Sequence, residues 1–275
     1  MEFLRSVLDV FHAEMITPPP YGWFHILSLV IMIGLSVLLC TRFRNVSHET
    51  IRKSVFWVSF FVFVLEVYKQ IVYTFSCSET GIDASFQWYA FPFQFCSTPM
   101  YAGMLLGIFR KGRIHDALSA YLASFSIFAG LCVMAYPGDV FISLVGINIQ
   151  TMICHGSMVV LGAWLLASGY VKVERRYYLK ALCVFAVCIC IAMILNEVAH
   201  LSGLLETHTF NMFFISPYCE PSLPVYSLVQ QVIPFPLCTI IYFVAFSLAA
   251  LLMMLAAQGI RLLATKKTTS KAAPL

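Results

Sequence analysis

Few ionisable, thiol or amide side chains stand out inside the long apolar stretches of this sequence. They are His25, Glu66, Lys69, Gln94, Cys96, Gln150, His155, Asn196, Glu197 and His200. Ionisable groups in a bilayer are costly and mark functional sites by default. The reactive pair among them is a thiol and an imidazole. A thiolate is intrinsically nucleophilic, and a nearby histidine can take its proton. Cys96 and His155 therefore point to acyl transfer through a thioester. Asn196 or Glu197 would orient the imidazole, as the third member of a catalytic triad does.

Each residue also has a plain structural reading. Glu66 and Lys69 are three apart on one helix face and can neutralise each other. Glu197 and His200 share that spacing and can finish a helix near lipid headgroups. Gln150 and Asn196 can be hydrogen-bonding glue between helices. His25 at an interface can simply pack or be solvated. A lone cysteine is more often inert than nucleophilic.

The elements that must position these groups follow from composition. Of 275 residues, 60% are hydrophobic and 11% charged, and mean hydropathy is +0.86. A soluble domain carries about 25% charged residues, so lipid is the solvent here. A crossing needs about 20 apolar residues. Stretches 22–41, 54–75, 88–109, 114–135, 145–168, 179–201 and 234–257 qualify. Hydrocarbon leaves backbone groups no outside partner, so all seven are expected to be helices. The predicted fold is all-α, a bundle of seven transmembrane helices spanning 21–258.

Lys and Arg set its direction. Arg42, Arg44, Arg52, Lys53, Arg110, Lys111, Arg113, Lys172, Arg175, Arg176 and Lys180 fall in alternate loops, and Arg261, Lys266, Lys267 and Lys271 in the tail. The intervening loops 76–87, 136–144 and 202–233 hold none. The N-terminus is expected outside and the basic tail 259–275 in the cytoplasm. Residues 1–20 read as an amphipathic surface helix ended by Pro18-Pro19-Pro20, not as a signal peptide. The long segment 202–233, with Pro217, Pro221 and Pro224, has room to be re-entrant. A net charge of +4 scattered over short loops excludes nucleic-acid binding.

In this topology the polar residues of independent helices fall in the outer half of the bilayer, so packing would gather them around one pocket that opens outward. The cytoplasmic half reads as sealed and apolar. Cys77 and Cys219 both fall in outer loops and are a disulfide candidate on an oxidising side. No paired-cysteine or His/Cys pattern suggests zinc, so neither metal nor cofactor is expected.

Several landmarks carry a family resemblance. Phe91-Pro92-Phe93-Gln94-Phe95-Cys96-Ser97 resembles the Pro-x-His/Gln-x-Cys motif of the YwaF family. That is a bacterial integral membrane family similar to animal transmembrane protein 164. His25 matches the histidine that opens its first helix. Gln150 to His155 resembles its Gln/Ser-x-His signature. Asn196, then Asn211-Met212-Phe213-Phe214 with Pro217, is similar to its Asn-x-Met-Phe-Leu…Pro stretch. Pro234-Phe235-Pro236 resembles its Pro-Trp-Pro motif. The resemblance covers residues 20–257. It departs at Gln94, where many members have His, and at Phe235, where many have Trp.

The resemblance implies a cysteine-centred acyltransferase acting on phospholipids, in a bacterial cytoplasmic membrane, with Cys96 and His155 as its catalytic pair. Membrane lipids and a lysolipid acceptor would be its partners. His25, Glu66, Lys69, Gln94, Gln150, Asn196, Glu197, His200 and Asn211 would bind or orient substrate. Two other classes stay open. A small-molecule or proton-coupled transporter would line a path with Glu66, Lys69, Glu197 and His200. A seven-helix sensor would bind a ligand instead.

Overall fold

The computed structural model describes residues 2–79, 81–203, 209–219 and 223–271. Pro221 and the last residues of the tail, 272–275, lie outside the described residues. Among the described residues the regular structure is all helical apart from one small hairpin. Helix α1 (Glu2–Phe11) precedes α2 (Trp23–Thr41) and α3 (His48–Thr74). Strands β1 (Phe75–Cys77) and β2 (Ile82–Ala84) pair antiparallel, with Ser76 opposite Asp83. Then come α4 (Thr98–Ile108), α5 (Arg113–Tyr121), α6 (Ile127–Ala135), α7 (Val145–Ala167), α8 (Arg175–Ser202), α9 (Pro224–Val232) and α10 (Leu237–Lys271).

Among the described residues, six helical stretches are long and apolar enough to cross a membrane: α2, α3, the continuous rod Arg113–Ala135, α7, α8 and Leu237–Ile260 of α10. The rod and α7 form the buried centre; α2, α3, α8 and α10 wrap them and expose most of their surface. That exposed surface is apolar, for example Val30, Trp57, Phe61, Ile194 and Leu252. A soluble protein would not leave it to water.

The expected span 88–109 is not one helix. A single 3-10 turn (Trp88–Ala90) is followed by irregular backbone and then by the 11-residue α4. Proline explains both edges. Pro92 pushes Phe91 out of helical geometry (φ −49°, ψ 133°). Pro99, in the first turn of α4, starts the new helix where a missing N–H costs nothing. Irregular backbone at membrane depth survives only where protein covers it. Phe95, Ser97 and Thr98 are accordingly buried.

Helix α4 is pressed onto α3 by two small residues one turn apart. A Cβ on Gly103 would lie 1.9 Å from Ser59 Oγ, and one on Gly107 would lie 2.3 Å from the Phe56 ring. This is the small-xxx-small contact that lets backbones approach inside a membrane. Helix α3 starts on Ser47, whose side chain accepts from Thr50 N at 3.1 Å. The rod Arg113–Ala135 contains a π turn over Leu122–Ser126, a local widening often found beside functional sites. The core between α4, the rod, α8 and α10 is aromatic. Phe125 stacks on Phe185 at 4.4 Å, Tyr242 on Phe246 at 4.0 Å, and Phe95 meets both Phe185 and Phe246 at 5.4 Å.

Part of segment 202–233 returns into the bundle. Phe210, Asn211, Met212, Phe213, Ile215 and Ser216 are buried. Phe213 and Phe214 both sit at φ 59°, a left-handed conformation that costs bulky residues of order 1–3 kcal/mol each. Helix α1 closes the same end of the bundle. Leu8 is buried, Phe11 meets the Tyr68 ring at 5.0 Å, and Arg5 bonds to the Ser78 carbonyl on the hairpin.

Candidate functional site

The charged centre is a single carboxylate. Glu66 on α3 faces Lys69 Nζ at 2.7 Å through Oε1. Gln70 Nε2 donates to the same oxygen at 2.9 Å, and Gln150 Nε2 on α7 donates to Oε2 at 3.3 Å. Gln70 also donates to Ala90 O at 2.7 Å, which fixes the 3-10 turn before the proline break. Helical spacing made Glu66 and Lys69 neighbours. The fold adds two amides from different directions, so the buried carboxylate is fully hydrogen-bonded.

Cys96 lies at the end of the irregular segment, half-buried, two residues before α4. Cys154 on α7 points its thiol at the Cys96 carbonyl, 3.9 Å away. A small void of about 20 Å³ touches both thiols and is lined further by Ser59, Ser126 and Ser157. The π turn supplies Leu122 and Ser126 to its wall.

His155 follows Cys154 on α7 and is buried. Its Nδ1 lies 2.8 Å from Thr151 O, one turn earlier. A carbonyl can only accept, so Nδ1 carries the proton and Nε2 presents a lone pair. That Nε2 is buried without a hydrogen-bond partner. It is therefore not hydrogen-bonded to Cys96.

A larger cavity of about 240 Å³ opens beside this cluster. Phe63, Val67, Ile71, Pro92 and Tyr101 make most of its wall, and Glu66 and Gln70 supply the polar floor. Gln70 Nε2 is already shared between Glu66 Oε1 and Ala90 O, so the cavity is an apolar slot ending at a polar base.

Other expected site residues do different work. Gln94 and Asn196 grip the inserted segment rather than a cavity. Gln94 Nε2 donates to Asn211 O at 3.0 Å, and Phe213 N donates to Gln94 Oε1 at 2.9 Å. Asn196 brackets Met212 in the same way, and Ser216 N donates to Asn211 Oδ1 at 2.9 Å. The amides take the place of a β-ladder for backbone with no helical partners. His25 is fully buried near the end of α6. Tyr21 N donates to its Nδ1 at 2.9 Å, and its Nε2–H donates to Met134 O at 2.9 Å. Both ring nitrogens are used by backbone.

Glu197 and His200 lie at the end of α8, outside the central cluster. Tyr218 OH donates to Glu197 Oε2 at 2.7 Å, and the Tyr218 ring stacks on His200 at 3.5 Å. The hydrogen bond to Glu197 also raises the Tyr218 phenol. Cys77 and Cys219 are both free thiols. Cys77 sits beside Asp9 and Arg5 of α1, and Cys219 Sγ lies 3.4 Å from Phe210 O. Among the described residues no His, Cys, Asp and Glu side chains gather in threes to hold a metal.

The opposite end of the bundle holds a polar cluster that sequence reading passed over. Arg52 bonds to Glu49 on both of its oxygens and to the Gly107 carbonyl that ends α4. His115 Nε2 meets Tyr170 OH at 2.7 Å, and Lys180 Nζ pairs with Asp116 at 2.6 Å. Burial pushes the Tyr170 phenol up to about 12. The cluster gathers at the helix ends and loops on the Lys- and Arg-rich side. Arg52 and Lys180 had served only to set direction, and His115 and Asp116 sat at the edge of an otherwise clean span.

A model of the TMEM164 family matches residues 20–260. The chain belongs to the TMEM164 family. The match takes in α2 through Ile260 of α10 and hence every residue of the central cluster. The YwaF resemblance is compatible with that membership. No match was found among curated proteins or among solved structures. For this TMEM164-family chain, membrane residence in several crossings follows from the family together with its six apolar helices.

Proposed function

We propose that this TMEM164-family protein is a cysteine-dependent acyltransferase or acyl hydrolase acting on membrane phospholipids. One observation carries the reading: the buried Nε2 lone pair of His155, unpartnered and adjacent along α7 to the cysteine that contacts Cys96. A buried acceptor with no partner costs about 1–3 kcal/mol, a cost that suits a group kept ready to take a proton.

The chemistry has two halves. A swing of the Cys96 thiol into reach of Nε2 passes its proton to His155. The sulfur then bonds to the acyl carbonyl carbon of the ester. Collapse breaks the ester C–O bond, and the lysolipid leaves with the proton from His155. In the second half a lysolipid hydroxyl, or water, gives its proton to His155 and bonds to the thioester carbon; the C–S bond breaks, the new ester or free fatty acid leaves, and His155 returns the proton to the Cys96 sulfur. The 240 Å³ slot suits an acyl chain, because it opens beside the exposed apolar surface formed by Val67 of α3 and Phe75 at the start of β1.

The reading includes a topology. Stretch 88–109 makes a seventh, discontinuous crossing, the N-terminus lies outside, and the C-terminus lies in the cytoplasm of a bacterial cell. The alternation of Lys and Arg between loops supports it. A second reading draws on the same break: transporters bind substrate at interrupted helices, and Glu66 and Lys69 face this one. Purified protein in liposomes separates the two. Transfer of a labelled acyl chain from phospholipid to lysophospholipid, lost in Cys96→Ala and in His155→Phe, is the expected result. Full transfer by Cys96→Ala overturns the proposal, and solute uptake that survives Cys96→Ala favours the transporter.

A further inference from the structure

A histidine ring can donate to two acceptors only as the charged imidazolium, because the neutral ring carries one N–H. His12 meets two acceptors. Its Nδ1 lies 2.8 Å from Leu8 O, and its Nε2 lies 3.0 Å from Val72 O. Both are backbone carbonyls, which only accept. His25 shows the neutral alternative in the same fold: one of its nitrogens accepts from Tyr21 N, and the other donates to Met134 O. At His12 a neutral ring would turn a lone pair onto a carbonyl oxygen at one of its two contacts.

The two carbonyls come from two helix ends. Leu8 lies in the last turn of α1 and Val72 in the last turn of α3. The final carbonyls of a helix lack partners within it and carry the negative end of its dipole. Two such ends converge on one half-buried imidazole, a setting that favours the cation. The other charged or titratable groups nearby have partners of their own. On α1, Arg5 bonds to Ser78 O, and Asp9 lies beside Cys77 of the hairpin. Glu14, just beyond α1, pairs through its backbone with Leu144. On α3, Tyr68 OH donates to Phe11 O at 3.1 Å, Lys69 pairs with Glu66, and Tyr73 packs on the Tyr89 ring.

We propose that His12 is a pH-sensitive latch that clamps the N-terminal helix α1 onto the end of α3. The protonated ring donates to both carbonyls and holds α1 down. When the ring gives up one proton, one donor is lost and a lone pair faces an oxygen, so α1 loosens. Docking favours the charged ring. It is therefore strongest at low pH and weakens as pH rises through the range in which histidine titrates. The last turn of α3 and the first residue of β1 also supply Ile71, Thr74 and Phe75 to the wall of the 240 Å³ cavity. The latch thus couples pH on the α1 side of the membrane to the packing behind one wall of that cavity. It makes no use of Cys96 and stands apart from the acyl-transfer reading.

Hydrogen–deuterium exchange of the full-length protein in detergent, read by mass spectrometry and corrected for the intrinsic effect of pH on exchange, measures the docking of α1. From about pH 8 to about pH 5.5, across the histidine range, the wild-type amides of α1 are expected to gain about tenfold in protection, the size of effect of one hydrogen bond to a charged group. Those of α7 are expected to stay constant. His12→Gln, which does not titrate, is expected to lose the pH response. His12→Lys, charged at both pH values, is expected to lose it as well and to remain protected. Asp9→Asn and Cys77→Ser are expected to keep it. A wild-type α1 equally protected at both pH values overturns the proposal, and so does a His12→Gln α1 that still responds to pH. Should His12→Gln not fold, which the α7 amides report, a pH response that persists in His12→Lys overturns it instead.

Discussion

Asn196 holds Met212 by both ends of its peptide: Asn196 Nδ2 donates to Met212 O at 3.1 Å, and Met212 N donates to Asn196 Oδ1 at 2.8 Å. Met212 is fully buried and Asn196 nearly so. An amide is the side chain that can give and take across one peptide. Asn196→Ala leaves two buried backbone groups unpaired and should cost about 2–4 kcal/mol. Asn196→Asp keeps only the acceptor and should be at least as damaging. Thermal unfolding of the purified protein in detergent checks both, against Asn45→Ala on the exposed first loop as control.

The Glu66–Lys69 pair makes a second prediction. Removing one partner leaves a buried charge uncompensated, at about 3–5 kcal/mol, while removing both can be nearly neutral. Lys69→Met alone should therefore lower the melting temperature more than the Glu66→Gln/Lys69→Met double variant. Equal losses in the two proteins would mean that solvent screens the pair.

Close approach of α3 and α4 gives a third. Gly103→Ala puts a methyl group 1.9 Å from Ser59 Oγ, so the two helices must move apart. The cost should be about 1–3 kcal/mol. Adding Ser59→Gly clears the space and should restore most of the stability. The same thermal assay reads both variants.

The two hairpin-end thiols give a fourth. Burial raises Cys77 and Cys219 above the ordinary 9.0, and at Cys77 the neighbouring Asp9 adds to it. A raised thiol holds less thiolate at any given pH, so alkylation of both should be slow at pH 7 and climb only above pH 9. Intact mass after iodoacetamide at the two pH values reports it. A pair that stays unmodified at high pH until a reductant is added would reveal a disulfide.

The large elements were legible in the sequence because a bilayer leaves so few options. Six stretches of apolar residues became six long helices, and Glu66 met Lys69 because three residues bring side chains onto one helix face. The break before α4 was not read, although Pro92 and Pro99 mark it, because average hydropathy over 88–109 ignores where proline falls. The roles of Gln94, Asn196 and Asn211 were hidden for another reason. Their partners are peptide groups of residues 211–216, and no spacing rule pairs a side-chain amide with irregular backbone, whether 117 positions away, as for Gln94, or 16, as for Asn196. Polar residues in apolar stretches thus divided into those that meet at Glu66 and those that hold irregular backbone. Composition alone cannot separate the two.

Gln94 and Phe213 are bonded across 119 positions of chain, and this imposes an order on biogenesis. Residues 91–97 leave the ribosome long before the segment that Gln94 holds. Until Asn211 and Phe213 arrive, both ends of the Gln94 side-chain amide lack the backbone partners of the finished fold. The stretch must wait at the insertion machinery or at the interface for its own C-terminal half. A chain shortened before Asn211 should therefore insert its earlier helices and still lack the Cys96 site.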